Sequence, residues 1–69
     1  MNLAEVEMLV RGVIIQMGFP FTVMSVNAAP AGWNIVVRSQ TGGVVRFTLV
    51  GARAISMRAT IQERLEAEL

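Results

Sequence analysis

The fold is decided by residues 21–50, FTVMSVNAAPAGWNIVVRSQTGGVVRFTLV, in which apolar and polar side chains alternate. A period of two, with frequent Val, Ile, Thr and Phe, is typical of β-strands that bury one face. We therefore predict strands at Phe21–Ala28, Trp33–Gln40 and Val44–Val50. Because the connections between them are short, neighbouring strands should pair antiparallel.

The alternation also predicts the register of the second hairpin. The apolar face of its two strands should point to the core and consists of Trp33, Ile35, Val37, Val45, Phe47 and Leu49. Cross-strand partners then have positions of like parity, which a three-residue loop at 41–43 supplies if Gly43 is left-handed. In this register Arg38 lies opposite Arg46.

Helical spacing flanks the strands on both sides. Apolar residues recur every three or four positions, which predicts helices at Leu3–Met17 and Ala52–Glu68. The first stripe is Leu3, Val6, Val10, Val13, Ile14 and Met17, and the second is Ala54, Met57, Ile61 and Leu65. An Asn2–Glu5 capping box should start the first helix, and an i,i+4 pair of Arg64 with Glu68 should support the second.

The resulting order is α-β-β-β-α. It predicts one α+β domain over all 69 residues, with a three-stranded antiparallel meander and both helices packed on one sheet face. This arrangement is the economical way for one apolar sheet face and two amphipathic helices to cover each other. A second core does not fit in a chain of this length.

The residue inventory excludes several kinds of chemistry. Cys and His are absent, and so are Asp, Lys and Tyr, which excludes disulfides, zinc sites and thiol chemistry. Serine hydroxyls have no His or Lys to activate them, and the glycine cluster Thr41-Gly42-Gly43 joins two strands instead of opening a helix. We therefore expect no enzyme activity, no metal and no cofactor.

The N-terminal part is apolar but interrupted. Glu5, Glu7, Arg11 and Gln16 prevent the run of roughly 18 apolar residues that a membrane span requires. An acidic N-terminus also differs from the basic start of a secretory signal. We therefore expect a soluble, cytoplasmic protein without a membrane span.

Charge is segregated along the chain. All Glu residues lie at or before Glu7 or at or after Glu63, so the net charge of +1 conceals a basic middle. Arginine suits phosphate because it makes bidentate contacts. The candidate anion or nucleic-acid contacts are Arg38, Arg46, Arg53, Arg58 and Arg64. The plainer alternative is an ordinary solvated sheet face, because the arginines are sparse.

The element order resembles that of the double-stranded-RNA-binding domain. That family carries a lysine-rich cluster at the start of its last helix, and the matching stretch here, residues 51–58, has only Arg53 and Arg58. The resemblance covers the whole chain at the level of element order. It implies recognition of a nucleic-acid backbone.

Several apolar residues fall outside the predicted core. Met8 and Ile15 point away from the stripe of the first helix, and Val36 and Val44 fall on the outer sheet face. With 54% hydrophobic residues, a chain this small has more apolar surface than it can bury. These four residues are candidates for a subunit or partner interface, unless they are ordinary scattered surface residues.

Two functions remain from the sequence. The first is a small non-enzymatic protein-interaction module that self-associates, with a symmetric dimer as the commonest form. The second is a nucleic-acid-binding domain that contacts the backbone through the arginines.

Overall fold

The computed structural model describes residues 1–51 and 53–69. Within them the elements are α1 (Leu3–Met17), β1 (Phe21–Ala29), β2 (Gly32–Ser39), β3 (Val44–Val50) and α2 (Ala54–Glu66). The strands form one antiparallel sheet in the order β1-β2-β3. The predicted α+β order and meander are confirmed.

The bounds of α2 differ from the predicted ones. The predicted first residue, Ala52, lies outside the described residues, and the helix ends at Glu66 instead of Glu68. Glu68 therefore lies beyond the last helical turn, and the predicted ion pair with Arg64 is not formed. Arg64 instead lies over the ring of Phe47, with its guanidinium carbon 5.9 Å from the ring centroid.

Helix α1 begins and ends as its sequence predicts. The Glu5 N–H donates to the Asn2 Oδ1 at 2.9 Å, and the Asn2 N–H donates to the Glu5 Oε1 at 3.1 Å. This capping box satisfies two amide groups that a helix start leaves unpaired. At the other end Gly18 has φ 67, a left-handed conformation that glycine adopts without strain, and Pro20 follows.

Both helices cover the same face of the sheet. Helix α1 packs mainly against β1, α2 packs against β3, and the two helices contact each other. The core among the described residues consists of Val6, Val10, Val13, Ile14, Phe21, Val23, Val26, Ile35, Val37, Phe47, Leu49, Met57, Ile61 and Leu65. None of the described residues forms a layer over the other sheet face, which is called the outer sheet face below.

The apolar stripes are shorter than predicted. Leu3 and Met17, the first and last residues of α1, remain exposed, as does Ala54 at the start of α2. A helix of 15 residues is about 22 Å long, so its ends extend past a small core. Trp33 and Val45, predicted to face the core, are partly buried at its margin.

The two hairpins are built differently. Pro30 and Ala31 form a tight turn between β1 and β2, with Ala29 paired to Gly32. Strand β1 then carries a bulge at Met24, where the register shifts between Val23 and Ser25. The bulge changes the alternation, so Val23 and Val26 both face the core although three positions separate them.

The register of the second hairpin is not the predicted one. Arg38 lies opposite Val44, and Val36 lies opposite Arg46, so Arg38 does not face Arg46. The pairing is shifted by two residues because the loop closes on the pair Ser39–Gly43, where the Ser39 N–H donates to the Gly43 oxygen at 2.7 Å. The left-handed residue of this loop is Gly42, with φ 93, and not Gly43.

Candidate interaction surfaces

The outer sheet face brings together four of the predicted site residues. Val36 lies on the central strand, with Ser25 opposite it on β1 and Arg46 opposite it on β3. One pair further along, Arg38 lies opposite Val44. The two arginines and the two valines thus occupy the two diagonals of one square, and diagonal neighbours in a sheet are about 7–8 Å apart.

One end of this face is polar. The Thr48 hydroxyl donates to the Asn34 Oδ1 across β2 and β3 at 3.1 Å, and Asn27 lies opposite Asn34 on β1. A shallow depression of about 620 Å³ occupies the same region. Its lining residues are Met24, Ser25, Asn27, Asn34, Ile35, Val36, Arg46, Phe47 and Thr48. The floor is mixed, with apolar, amide and guanidinium groups side by side.

The charge of the outer sheet face has one sign. Residues 21–50 contain Arg38 and Arg46 and no acidic residue, and both arginine side chains are exposed. The described part of the chain has one ion pair, Glu7 with Arg11 at 3.5 Å on α1, and neither sheet arginine takes part in it. The two sheet guanidiniums are therefore balanced only by solvent ions.

The remaining candidate arginines do not join this surface. Arg53 is the N-cap residue of α2 and is exposed. Arg58 lies beside α1, where a methyl group added at Gly12 would come 4.0 Å from its Nη1. Arg64, six positions later, lies on the opposite flank of α2 over Phe47. Arg38 and Arg46 thus lie on the outer sheet face, whereas the other three candidate arginines lie on or at the start of α2.

The aromatic side chains lie on the helix side of the sheet. Phe47 is buried in the core, Trp33 packs against it, and Phe19 meets Phe21 edge to face with centroids 6.3 Å apart. The outer sheet face therefore has no aromatic ring among the described residues on which a base could stack. Nucleic-acid binding at this face would depend on phosphate contacts.

The α1 candidates lie on the opposite side of the molecule. Met8 is 71% exposed and Ile15 is 79% exposed, two turns apart on α1 and outside its buried stripe. Val36 is half-buried and Val44 is 47% exposed on the outer sheet face. The sheet and helix layers separate these two pairs, so no single flat contact can cover both.

The predicted interface residues omit several exposed apolar side chains, three of which lie in β3, β1 and α2. Val50 is 64% exposed at the end of β3, Met24 is exposed at the bulge, and Ile55 is exposed in the first turn of α2. Val50 shares the parity of Val44, so the alternation within β3 was a sufficient signal for it. Met24 gave no such signal, because the bulge interrupts the alternation of β1.

Within residues 1–51 and 53–69, no group of three His, Cys, Asp or Glu side chains could hold a metal ion. None of the helices there has the length and apolarity needed to cross a membrane. A smaller depression of about 160 Å³ lies between α1 and the start of β1, lined by Arg11, Ile14, Ile15 and residues 21–23.

Comparison with known proteins gave no relatives. No family model, no curated protein sequence and no solved structure matches the chain.

Proposed function

We propose that this protein is a small non-enzymatic interaction module that self-associates as a dimer. The observation that carries the proposal is the amount of uncovered apolar surface. In the described ranges, 14 apolar side chains form the core, whereas 10 large hydrophobic side chains remain exposed. Exposed apolar groups near one another favour contact with another protein surface.

Two further observations support a second copy as the partner. Apolar side chains are exposed on both layers, Met8 and Ile15 on α1 and Val44 and Val50 on β3. The two residues of each pair lie at different positions along one helix or strand. Antiparallel packing of that element against the same element of a second copy brings the first residue of the pair opposite the second. A cytoplasmic setting belongs to the same proposal and suits a chain without cysteine.

Sedimentation equilibrium tests the proposal. The expected result is a concentration-dependent shift from the 7.5 kDa chain to a species of twice that mass. Met8→Gln and Ile15→Gln on α1, compared with Val44→Thr and Val50→Thr on β3, would locate the contact, because each exchange keeps the side-chain size and adds polarity. A single 7.5 kDa species at tens of micromolar would refute self-association.

Nucleic-acid binding is the second candidate, favoured by the acid-free outer sheet face with Arg38 and Arg46. Fluorescence anisotropy at low salt with single- and double-stranded RNA and DNA tests it, since phosphate contacts are strongest there. We expect binding to weaken in Arg38→Gln and Arg46→Gln and to persist in Arg53→Gln. Absence of binding at low salt would eliminate this candidate.

A further inference from the structure

Strand β3 is an open edge of the sheet, because the strand order is β1-β2-β3. Hydrogen-bonded pairs alternate along an antiparallel ladder, and the Ser39 N–H donates to the Gly43 oxygen. The same alternation directs the backbone groups of Val45, Phe47 and Leu49 toward β2. The backbone N–H and C=O groups that point outward from the edge belong to Val44, Arg46, Thr48 and Val50.

This edge lacks the bulge and the proline that often prevent strand pairing, and Arg46 is its one charged residue. It is seven residues long, contains no proline and pairs with β2 without a register shift. Edge strands in soluble proteins are commonly interrupted by bulges, proline or inward-pointing charges. The other edge, β1, has such an interruption, because its register shifts between Val23 and Ser25. The two edges are therefore unequal, and β3 is the one able to accept another strand.

We propose that two copies of the chain join β3 to β3 in antiparallel orientation, about a two-fold axis at Phe47, to form a continuous six-stranded sheet. The inference rests on the proposed self-association and names its surface and its register. In this register Val44 lies opposite the partner's Val50, and Arg46 lies opposite the partner's Thr48. All four outward-pointing residues of each copy are then hydrogen-bonded.

Competing registers satisfy fewer groups. An odd shift sets an outward-pointing residue against an inward-pointing one and forms no ladder. A two-fold axis at Arg46 places two arginines directly opposite each other, and like charges at this position are destabilising. An axis at Thr48 leaves Val44 without a partner. Only the axis at Phe47 pairs every residue from Val44 to Val50 with a residue of the other copy. It also prevents the two arginines from lying directly opposite each other.

The same register covers the exposed apolar side chains of β3. Val44 and Val50 are 47% and 64% exposed. In the joined sheet, Val44 of each copy lies opposite the partner's Val50. The side chains of the outward-pointing residues all lie on the outer sheet face and are exposed. Pairing two edges thus buries backbone and valine surface together without displacing any core residue.

Cysteine exchange reads the register directly, because the chain has no cysteine of its own. Paired Cα atoms at a hydrogen-bonded position are about 5.5 Å apart, within the range for a disulfide. A mixture of Val44→Cys and Val50→Cys chains should form a cross-linked dimer under mild oxidation. Each variant alone should not, because two copies of residue 44 lie about 20 Å apart in this register.

A matched mixture is the control for the register. Val44→Cys with Thr48→Cys cross-links efficiently only if the axis lies at Arg46. We expect its yield to stay at the level of either variant alone. Efficient cross-linking of this control mixture, or none in the Val44→Cys and Val50→Cys mixture, would overturn the proposed register.

Removal of one backbone N–H group tests pairing at the β3 edge without a new cross-link. Thr48→Pro deletes an outward N–H, and by symmetry the dimer loses two hydrogen bonds. The dissociation constant should rise about tenfold or more, whereas Thr48→Ala should have little effect. Both variants lose the hydroxyl contact to Asn34, so their difference reports the N–H. Circular dichroism shows whether each variant is folded, and the cysteine mixtures decide the question if Thr48→Pro is not.

The outcomes separate the two proposals. A dimer that neither cross-links as expected nor responds to Thr48→Pro would overturn the β3 edge and leave self-association intact. A chain that is monomeric at tens of micromolar would overturn both.

Discussion

Val36 of β2 lies directly opposite Arg46 of β3, with Asn34 opposite Thr48 on one side and Arg38 opposite Val44 on the other. Arg38 and Arg46 are therefore diagonal neighbours, and Val36 is adjacent to both of them. This spacing lowers the repulsion that directly opposed arginines would suffer.

The close approach of β2 to β3 at Gly32 makes the strongest stability prediction. A methyl group added there would lie 1.9 Å from the Leu49 backbone oxygen, so Gly32→Ala forces the strands apart. We expect a loss of about 3 kcal/mol in the free energy of unfolding, measured by urea denaturation. A loss below about 1 kcal/mol would show that the strand ends adjust freely.

Gly12→Ala is the matched exchange at a glycine with room. The added methyl would sit 4.0 Å from the Arg58 Nη1, an ordinary contact distance. Gly12 is in the middle of α1, where alanine is favoured over glycine. The free energy of unfolding should therefore rise by about 0.5–1 kcal/mol. Destabilisation by this exchange would mean that the α1 surface at Gly12 is covered by something closer than Arg58.

Asn2 should stabilise the folded protein by capping the start of α1. Asn2→Ala removes the acceptor for the Glu5 N–H and should cost about 1 kcal/mol, with faster amide exchange in the first turn of α1. Asn2→Ser retains an acceptor oxygen and should restore most of the loss. Equal stability of the alanine and serine variants would contradict a role for the cap.

Arg64 should stabilise the fold through the ring of Phe47. Arg64→Met keeps a long stem but removes the cation 5.9 Å from the ring centroid, and should cost about 0.5–1 kcal/mol. Arg53→Met, at an exposed N-cap without a side-chain hydrogen bond, is the control and should be nearly neutral. Thermal denaturation of the two variants side by side gives the comparison, and an equal effect would refute the contact with Phe47.

Substitution of Arg46 distinguishes the two candidate functions, because it should change dimer affinity and nucleic-acid affinity in opposite directions. In the β3-paired dimer, Arg46 and the partner's Arg46 are diagonal neighbours about 7–8 Å apart, so Arg46→Gln should tighten the dimer at low salt. The same exchange should weaken nucleic-acid binding. Arg38→Gln, on the central strand, should weaken only the latter. A weaker dimer in Arg46→Gln would contradict the proposed placement of this side chain.

Local patterns were enough to predict the elements. The spacing of apolar residues predicted α1 at Leu3–Met17 and β3 at Val44–Val50, and the structure has these bounds. The Asn2–Glu5 capping box was also predicted correctly. These features depend on residues only a few positions apart, so their physical causes are contained in a short stretch of chain.

The sequence by itself therefore determined the order of elements, the buried faces of β2 and β3 and the acid-free character of the outer sheet face. The tertiary structure alone decided the register in which the strands pair. Registers two residues apart keep every side chain on the same face, so alternation cannot distinguish Arg38 opposite Arg46 from Arg38 opposite Val44. The choice depends on loop closure, in which the Ser39 Oγ accepts from the Thr41 N–H at 3.0 Å and Gly42 adopts φ 93. The bulge at Met24 likewise belongs to the pairing of β1 with β2, which alternation within one strand does not specify.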